Sequence, residues 1–340
     1  MAVSRPDAGN DQEFLALLVH RGFLDKAQAL RVLARTDNDG FEPALAGETR
    51  WDASRIAYLR RTRAMSEPDI PGYVVERRLG AGGTSEVFAA RCKADGRAVA
   101  LKILRPALAA DPLAVRRFLD EARLLQRLTH PAIVRGARVF KFMDTYVLEM
   151  ERVSGRTLDE HLADGRTFDE DTALSLVMQV ASALEYMRQQ GVVHRDLKPG
   201  NLMIDGAGRV KIIDLGFAGR GLEGRADACS TLGTPAYLSP EQARGQDDLD
   251  CRSDIYSLGA TLYHLVIGRL PFEGGDDSEI LRKQVLEGLN GAALKGRSVS
   301  PSLHYFIQKM MAKEREVRYP TPAELTEDIE AHRSRQRRMQ

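Results

Sequence analysis

The apolar residues change their spacing twice along the chain, and this limits the fold more than any other feature. Ahead of residue 70 they recur at helical intervals, as Phe14, Leu17 and Leu18 and then as Ala27, Leu30, Leu33 and Ala34. A break at Arg21-Gly22-Phe23-Leu24, with Asp25 placed to cap the next helix, predicts two short helices. A third amphipathic stretch over 51–65 carries Ile56 and Leu59 beside Arg55, Arg60, Arg61 and Arg63. Its basic run suits either a solvated helix face or an acidic partner. Two prolines within 66–72 then mark a linker. From Tyr73 the pattern becomes short β-branched runs, YVVERRL, SEVFAAR, RAVALKIL, AIVRGARVF and TYVLEM, which suit an antiparallel sheet. One strongly helical stretch, 112–128, interrupts them, and after Leu158 the chain reads as largely helical through His332. A strand-rich part followed by a helical part is an α+β arrangement.

Composition removes several classes of function. The 340 residues allow about two domains or one two-lobed domain. With 43% hydrophobic and 29% charged residues, wholesale disorder is excluded. Lys and Arg number 49 against 48 Asp and Glu, so the charge exerts no general pull toward nucleic acid or anionic membrane. Cys92, Cys229 and Cys251 are odd in number and scattered, which reads as reduced thiols. The seven histidines form no metal-ligand spacing. The N-terminus has no apolar signal core and no run of ~18 apolar residues occurs, so a cytoplasmic chain without a membrane span is expected.

Three clusters carry chemistry. Leu79-Gly80-Ala81-Gly82-Gly83-Thr84-Ser85-Glu86-Val87 is a glycine-rich turn between two strand-like runs. A dinucleotide fold needs a helix directly after such glycines, whereas here a strand continues, which favours a hairpin flap over phosphates. Lys102 lies in the next apolar run, where an ammonium is costly unless paired, and Glu121 in the following helix is the expected partner. In His194-Arg195-Asp196-Leu197-Lys198-Pro199-Gly200-Asn201 a carboxylate and an amide stand five residues apart in a Pro/Gly loop, and Asp214 ends an apolar run further on. Asn and Asp oxygens are hard donors suited to Mg²⁺ shared with phosphates.

The order of glycine loop, VALK, helical Glu, HRDLKPGN, DLG and Ser239-Pro240-Glu241 resembles the eukaryotic-like, bacterial-type serine/threonine protein kinases. The resemblance covers about 73–333. It implies a bilobal kinase-like fold, with an antiparallel β N-lobe over about 73–153 and a helical C-lobe over about 154–333. A small helical N-terminal module and linker (1–70), regulatory or docking in role, would precede it, and a basic tail (334–340) would follow. The implied activity is transfer of the ATP γ-phosphate, with Mg²⁺, to Ser/Thr hydroxyls of protein substrates. The implied roles place loop 79–87 over ATP, Lys102 on the α/β-phosphates and Glu121 on Lys102. Asp196 would accept the hydroxyl proton, Lys198 would steady the γ-phosphate, and Asn201 with Asp214 would hold the metal. Val87, Ala100 and Met203 match positions around adenine; Met150, Glu151 and Val153 match the gate and hinge, with Leu148 at the gate in a shifted alignment. Asp254 resembles the buried anchor of the catalytic loop, and Arg318 the partner of Glu241. Arg195 before Asp196 implies control by phosphate on the activation loop, for which Ser230 and Thr231 are the candidates. Ser85, Leu215 and Ser239 depart from the usual pattern without removing a charge or metal ligand. The alternatives are a nucleotide-binding pseudokinase or scaffold acting through 1–70, and a small-molecule kinase.

Overall fold

The helical spacing ahead of residue 70 resolves into α1 (Ala8–His20), α2 (Lys26–Asp39), α3 (Phe41–Thr49) and α4 (Ala53–Arg61). The computed structural model describes residues 8–20, 22–61, 67–143, 145–216, 234–289 and 299–339. As expected, Asp25 caps α2, through a reciprocal box in which Asp25 accepts from the Gln28 N–H and Gln28 from the Asp25 N–H. Helix α3 is not among the stretches that the sequence spacing predicts; Pro43 lies in its first turn, where the missing N–H costs nothing. Gly40, at φ +82°, joins α2 to α3 without a linker.

That unforeseen helix decides which face of α2 is inside. Ala29 and Val32 pack with Phe14, Leu18, Phe41, Leu45, Ile56 and Leu59, whereas Ala27, Leu30, Leu33 and Ala34, the set at helical spacing, are exposed. The basic run also differs from expectation. Arg60 turns inward, pairing with Asp11 and Glu42 and lying over the Phe14 and Phe41 rings at 5.0 and 5.1 Å. Arg61 reaches Asp69, and Arg63 lies outside the described residues. Trp51 meets Phe23 edge-on, with the Arg55 guanidinium 4.2 Å above its ring.

These helices share one compact unit, Met1–Ala122 with Gly136–Arg152, with the strand-rich part of the chain. Tyr58 ties the two together, donating its hydroxyl to the Asp69 carbonyl and meeting Phe142 edge-on. Strands β1 (Tyr73–Ala81), β2 (Ser85–Cys92), β3 (Ala98–Leu104), β4 (Gly136–Phe142) and β5 (Thr145–Glu151) form an antiparallel sheet in the order β1-β2-β3-β5-β4. Tyr73, Phe88, Val99, Leu101, Ile103 and Val147 make its core. The stretch expected to be helical forms α5 (Pro112–Arg127), within which the chain passes into the second unit.

The second unit, Arg123–Arg135 with Val153–Gln340, is mostly helical. It contains α6 (Leu158–Ala163), α7 (Glu170–Gln189), α8 (Pro240–Ala243), α9 (Cys251–Ile267), α10 (Asp277–Leu286), α11 (Pro301–Met310) and α12 (Pro322–Met339). A small antiparallel sheet joins β6 (Arg156–Thr157), β7 (Leu202–Ile204) and β8 (Val210–Ile212). Gly155, at φ +144°, lets the chain press onto β7: a Cβ there would stand 2.1 Å from the Ile204 carbonyl oxygen. Helix α9 is buried on nearly every side, and Gly259 lets α11 approach it where a Cβ would come within 2.8 Å of Met310. Among the described residues no helix is long and apolar enough to cross a membrane.

One buried ion pair locks α8 to the segment ahead of α12. Arg318 donates through both terminal nitrogens to Glu241 at 2.7 and 2.8 Å, and also to the carbonyls of Arg252, Ala312 and Lys313. Ser253 donates to the same carboxylate. Burial pushes the Glu241 carboxyl up, but the Arg318 hydrogen bonds and charge outweigh it and bring it down to about 2. Arg318→Leu should therefore cost about 3–5 kcal/mol of unfolding free energy, read as a lower urea midpoint. Because the folded carboxyl lies below its ordinary 4.5, the stabilisation is full above that pH and is lost as pH falls toward about 2. Stability measured across that window should drop in the wild type more steeply than in Glu241→Gln.

Candidate active site

Within the first unit, Lys102 stands in the middle of the sheet, opposite Val87 on β2 and Leu148 on β5. Its ammonium is buried and lies 2.6 Å from the Glu121 carboxylate, which α5 delivers. The expected pair is thus formed, with neither charge left in an apolar surround alone. Loop 79–87 is the β1–β2 hairpin, with Gly80 opposite Val87 and Ala81 opposite Glu86. The Gly82 N–H donates to the Ser85 carbonyl at 2.8 Å, and Arg105 braces the tip through the carbonyls of Gly82 and Thr84. A Cβ at Gly80 or Gly83 would meet nothing within 4 Å, and at Gly82 only the Ser85 oxygen at 3.8 Å. None of the three has a positive φ, so the hairpin itself does not require glycine there. Leu79 is exposed at the hairpin's edge, while Ala100 is buried opposite Ala89 and Met150. Glu151 closes β5 opposite Val99.

Within the second unit the loop 194–201 is built around α9. The backbone N–H groups of His194 and Arg195 donate to the two oxygens of Asp254, each at 2.8 Å. Asp254 is 2% exposed. Burial pushes its carboxyl up, against the nearby His194 and the two donated hydrogens. Held this way, Arg195 takes a left-handed φ of +69°, unusual for a residue with a side chain. The turn brings Lys198 Nζ to 2.9 Å from Asp196, and Asn201 donates its amide hydrogens to the Asp196 carbonyl and carboxylate at 2.7 and 3.0 Å. The Ile213 N–H donates to the Asn201 carbonyl, placing Asp214 just past β8 beside that loop. Asp214 in turn accepts from the Gly216 N–H at 2.8 Å. Met203 sits on β7 opposite Lys211 and Thr157, and Val153 opens the long segment of this unit.

Residues 73–329 match the protein kinase domain family. The chain belongs to that family. A probable serine/threonine-protein kinase of Streptomyces coelicolor is 37% identical over 279 residues, 78% of this chain and 41% of the relative. The serine/threonine-protein kinase PknB of Mycobacterium leprae is 37% identical over 258 residues, 74% of this chain and 41% of its own length. PknB of Mycobacterium tuberculosis is 36% identical over 265 residues, 76% and 42% of the two chains. The chain therefore spans about two fifths of the length of these curated relatives. In this kinase domain Ser239, one of the departures from the usual pattern, has a structural part of its own. It caps α8 through a box with Gln242, and the Gln242 amide continues to the Arg195 carbonyl at 2.7 Å. The Ser-Pro-Glu-Gln spacing holds that signal, although the link to the loop 194–201 is tertiary. Ser230 and Thr231 lie outside the described residues.

The Lys102–Glu121 pair makes a test independent of any ligand. Lys102→Ala leaves a buried carboxylate and should cost about 3–5 kcal/mol, whereas Lys102→Met with Glu121→Leu should recover most of it. Thermal unfolding of the single and double variants measures the difference.

Proposed function

We propose that the chain is a serine/threonine protein kinase that transfers the ATP γ-phosphate to hydroxyls of protein substrates. The observation that carries this reading is the fixed group of Asp196, Lys198 and Asn201 on a loop whose backbone is held by Asp254. A carboxylate so placed accepts the proton of an incoming hydroxyl as its oxygen bonds to the γ-phosphorus and the bond to the β-phosphate oxygen breaks. Lys198 offsets the charge on the transferred group, and Lys102, fixed by Glu121, offsets that on the α/β-phosphates.

The bare backbone at Gly80, Gly82 and Gly83, which the hairpin does not itself demand, supports close approach of phosphate oxygens to N–H groups. Val87, Ala100, Met150 and Met203 supply apolar surface for adenine, with Glu151 and Val153 offering backbone groups to the base. Asn201 and Asp214 would hold Mg²⁺: the Asn201 NH₂ is committed to Asp196, which directs its oxygen elsewhere, and both residues supply the hard donors this ion takes. When bound, the ion neutralises charge on the phosphates. Arg195 precedes the catalytic Asp196, which supports phosphorylation of Ser230 or Thr231 as the activating event. Residues 1–70 are proposed as a docking or regulatory module.

Purified protein incubated with ATP and Mg²⁺ should gain mass in phosphate units mapped to Ser230 or Thr231, and Asp196→Asn should gain none. Equal gain in both proteins would refute the assignment of Asp196.

A further inference from the structure

The turn Pro235–Tyr237 stands just ahead of α8, whose Gln242 bonds to the carbonyl of the residue before Asp196. It has little structure of its own, yet it is held from two helices. Tyr237 shares a 2.7 Å hydrogen bond between its hydroxyl and His264 Nδ1 on α9. From α10, Gln284 donates its amide to the carbonyls of Ala236 at 2.7 Å and Pro235 at 3.2 Å. Gln284 is 0% exposed, so these bonds form without competition from water.

The direction of that amide is dictated by a chain of donors. Lys313 Nζ has only hydrogens to give, and it gives them to the Tyr256 hydroxyl at 3.1 Å and to the Gln284 carbonyl at 2.7 Å. Tyr256, accepting from the ammonium, donates its own hydrogen to Gln284 Oε1. Gln284 must then turn its NH₂ toward the two turn carbonyls. Lys313 is fixed above the Phe272 ring at 4.1 Å. Burial lowers it to about 8, helped by the charges of Arg318 and Arg244, so the ammonium persists at neutral pH.

We propose that Gln284 is a specificity-determining positioning residue: by pinning the Pro235 and Ala236 carbonyls it shapes the wall along which an extended protein substrate brings its hydroxyl to Asp196. This rests on the kinase reading above. The relay predicts that the binding of protein substrate depends on Gln284 and Tyr256 while nucleotide binding does not, because neither residue nor the turn belongs to the proposed nucleotide set.

Gln284→Glu keeps the shape and the acceptor for Tyr256 but turns a carboxylate oxygen on two carbonyls. Tyr256→Phe keeps the ring and removes the hydrogen that orients the amide. In the full chain, initial rates are measured against two protein acceptors, the inactive Asp196→Asn chain and casein, and separately against ATP. Gln284→Glu should raise KM for protein by about tenfold with KM for ATP within about twofold, and Tyr256→Phe should shift it the same way by less. An unchanged protein KM in both variants overturns the proposal. So does a parallel rise of both KM values with a lowered melting temperature, which marks a merely structural role. Absence of phosphate on every acceptor, and on the wild type itself, overturns the kinase reading and this inference with it.

Discussion

The organisation of the second unit hangs on one carboxylate. Asp254 comes from a helix buried on almost every side, and in that setting an isolated charge would be strongly disfavoured. Two backbone N–H groups of the loop 194–201 meet its two oxygens, so the loop and the helix each satisfy what the other cannot leave bare. The left-handed turn at Arg195, the presentation of Asp196 and the reach of Asn201 all follow from that pair of bonds. A rigid helix thereby lends its precision to an irregular loop, which has no ladder of its own to hold it.

The same logic recurs outward from α9. Ser253 and Arg318 satisfy Glu241, Gln242 completes the Ser239 cap of α8 and holds Arg195, and Gln284 ties down the turn ahead of α8. Polar groups buried in this region work as a connected set, and such sets favour one arrangement of loops over neighbouring ones of similar compactness. The first unit uses a different device: its buried Lys102 ammonium is placed by a strand at the sheet's centre and paired with a carboxylate that α5 delivers.

What the sequence disclosed was governed by how local the cause is. Asp196, Lys198 and Asn201 lie within six residues, so their meeting needs only a turn, and Lys102 could be foreseen because a strand lysine demands a partner. Helix α3 has no counterpart in the predicted stretches, and without it the inner face of α2 stays undecided. Leu30 and Leu33 have the right spacing, yet Ala29 and Val32 face the core because α3 arrives on that side. Arg60 looked like surface charge until Asp11 and Glu42, far apart in the chain, converged on it. Gln284, Tyr256 and Lys313 carry no signature at all, since their meaning arises only when α9, α10 and the segment after α11 pack together.

Trp51 has a practical consequence. It is the only tryptophan in the chain, and it lies in the helical module, enclosed by Phe23 and the Arg55 guanidinium. Its emission therefore reports the folding of the four N-terminal helices, while the kinase domain over 73–329 is spectroscopically silent at that wavelength. Circular dichroism sees the whole chain, so a gap between the two signals during melting separates the module's cooperativity from that of the rest.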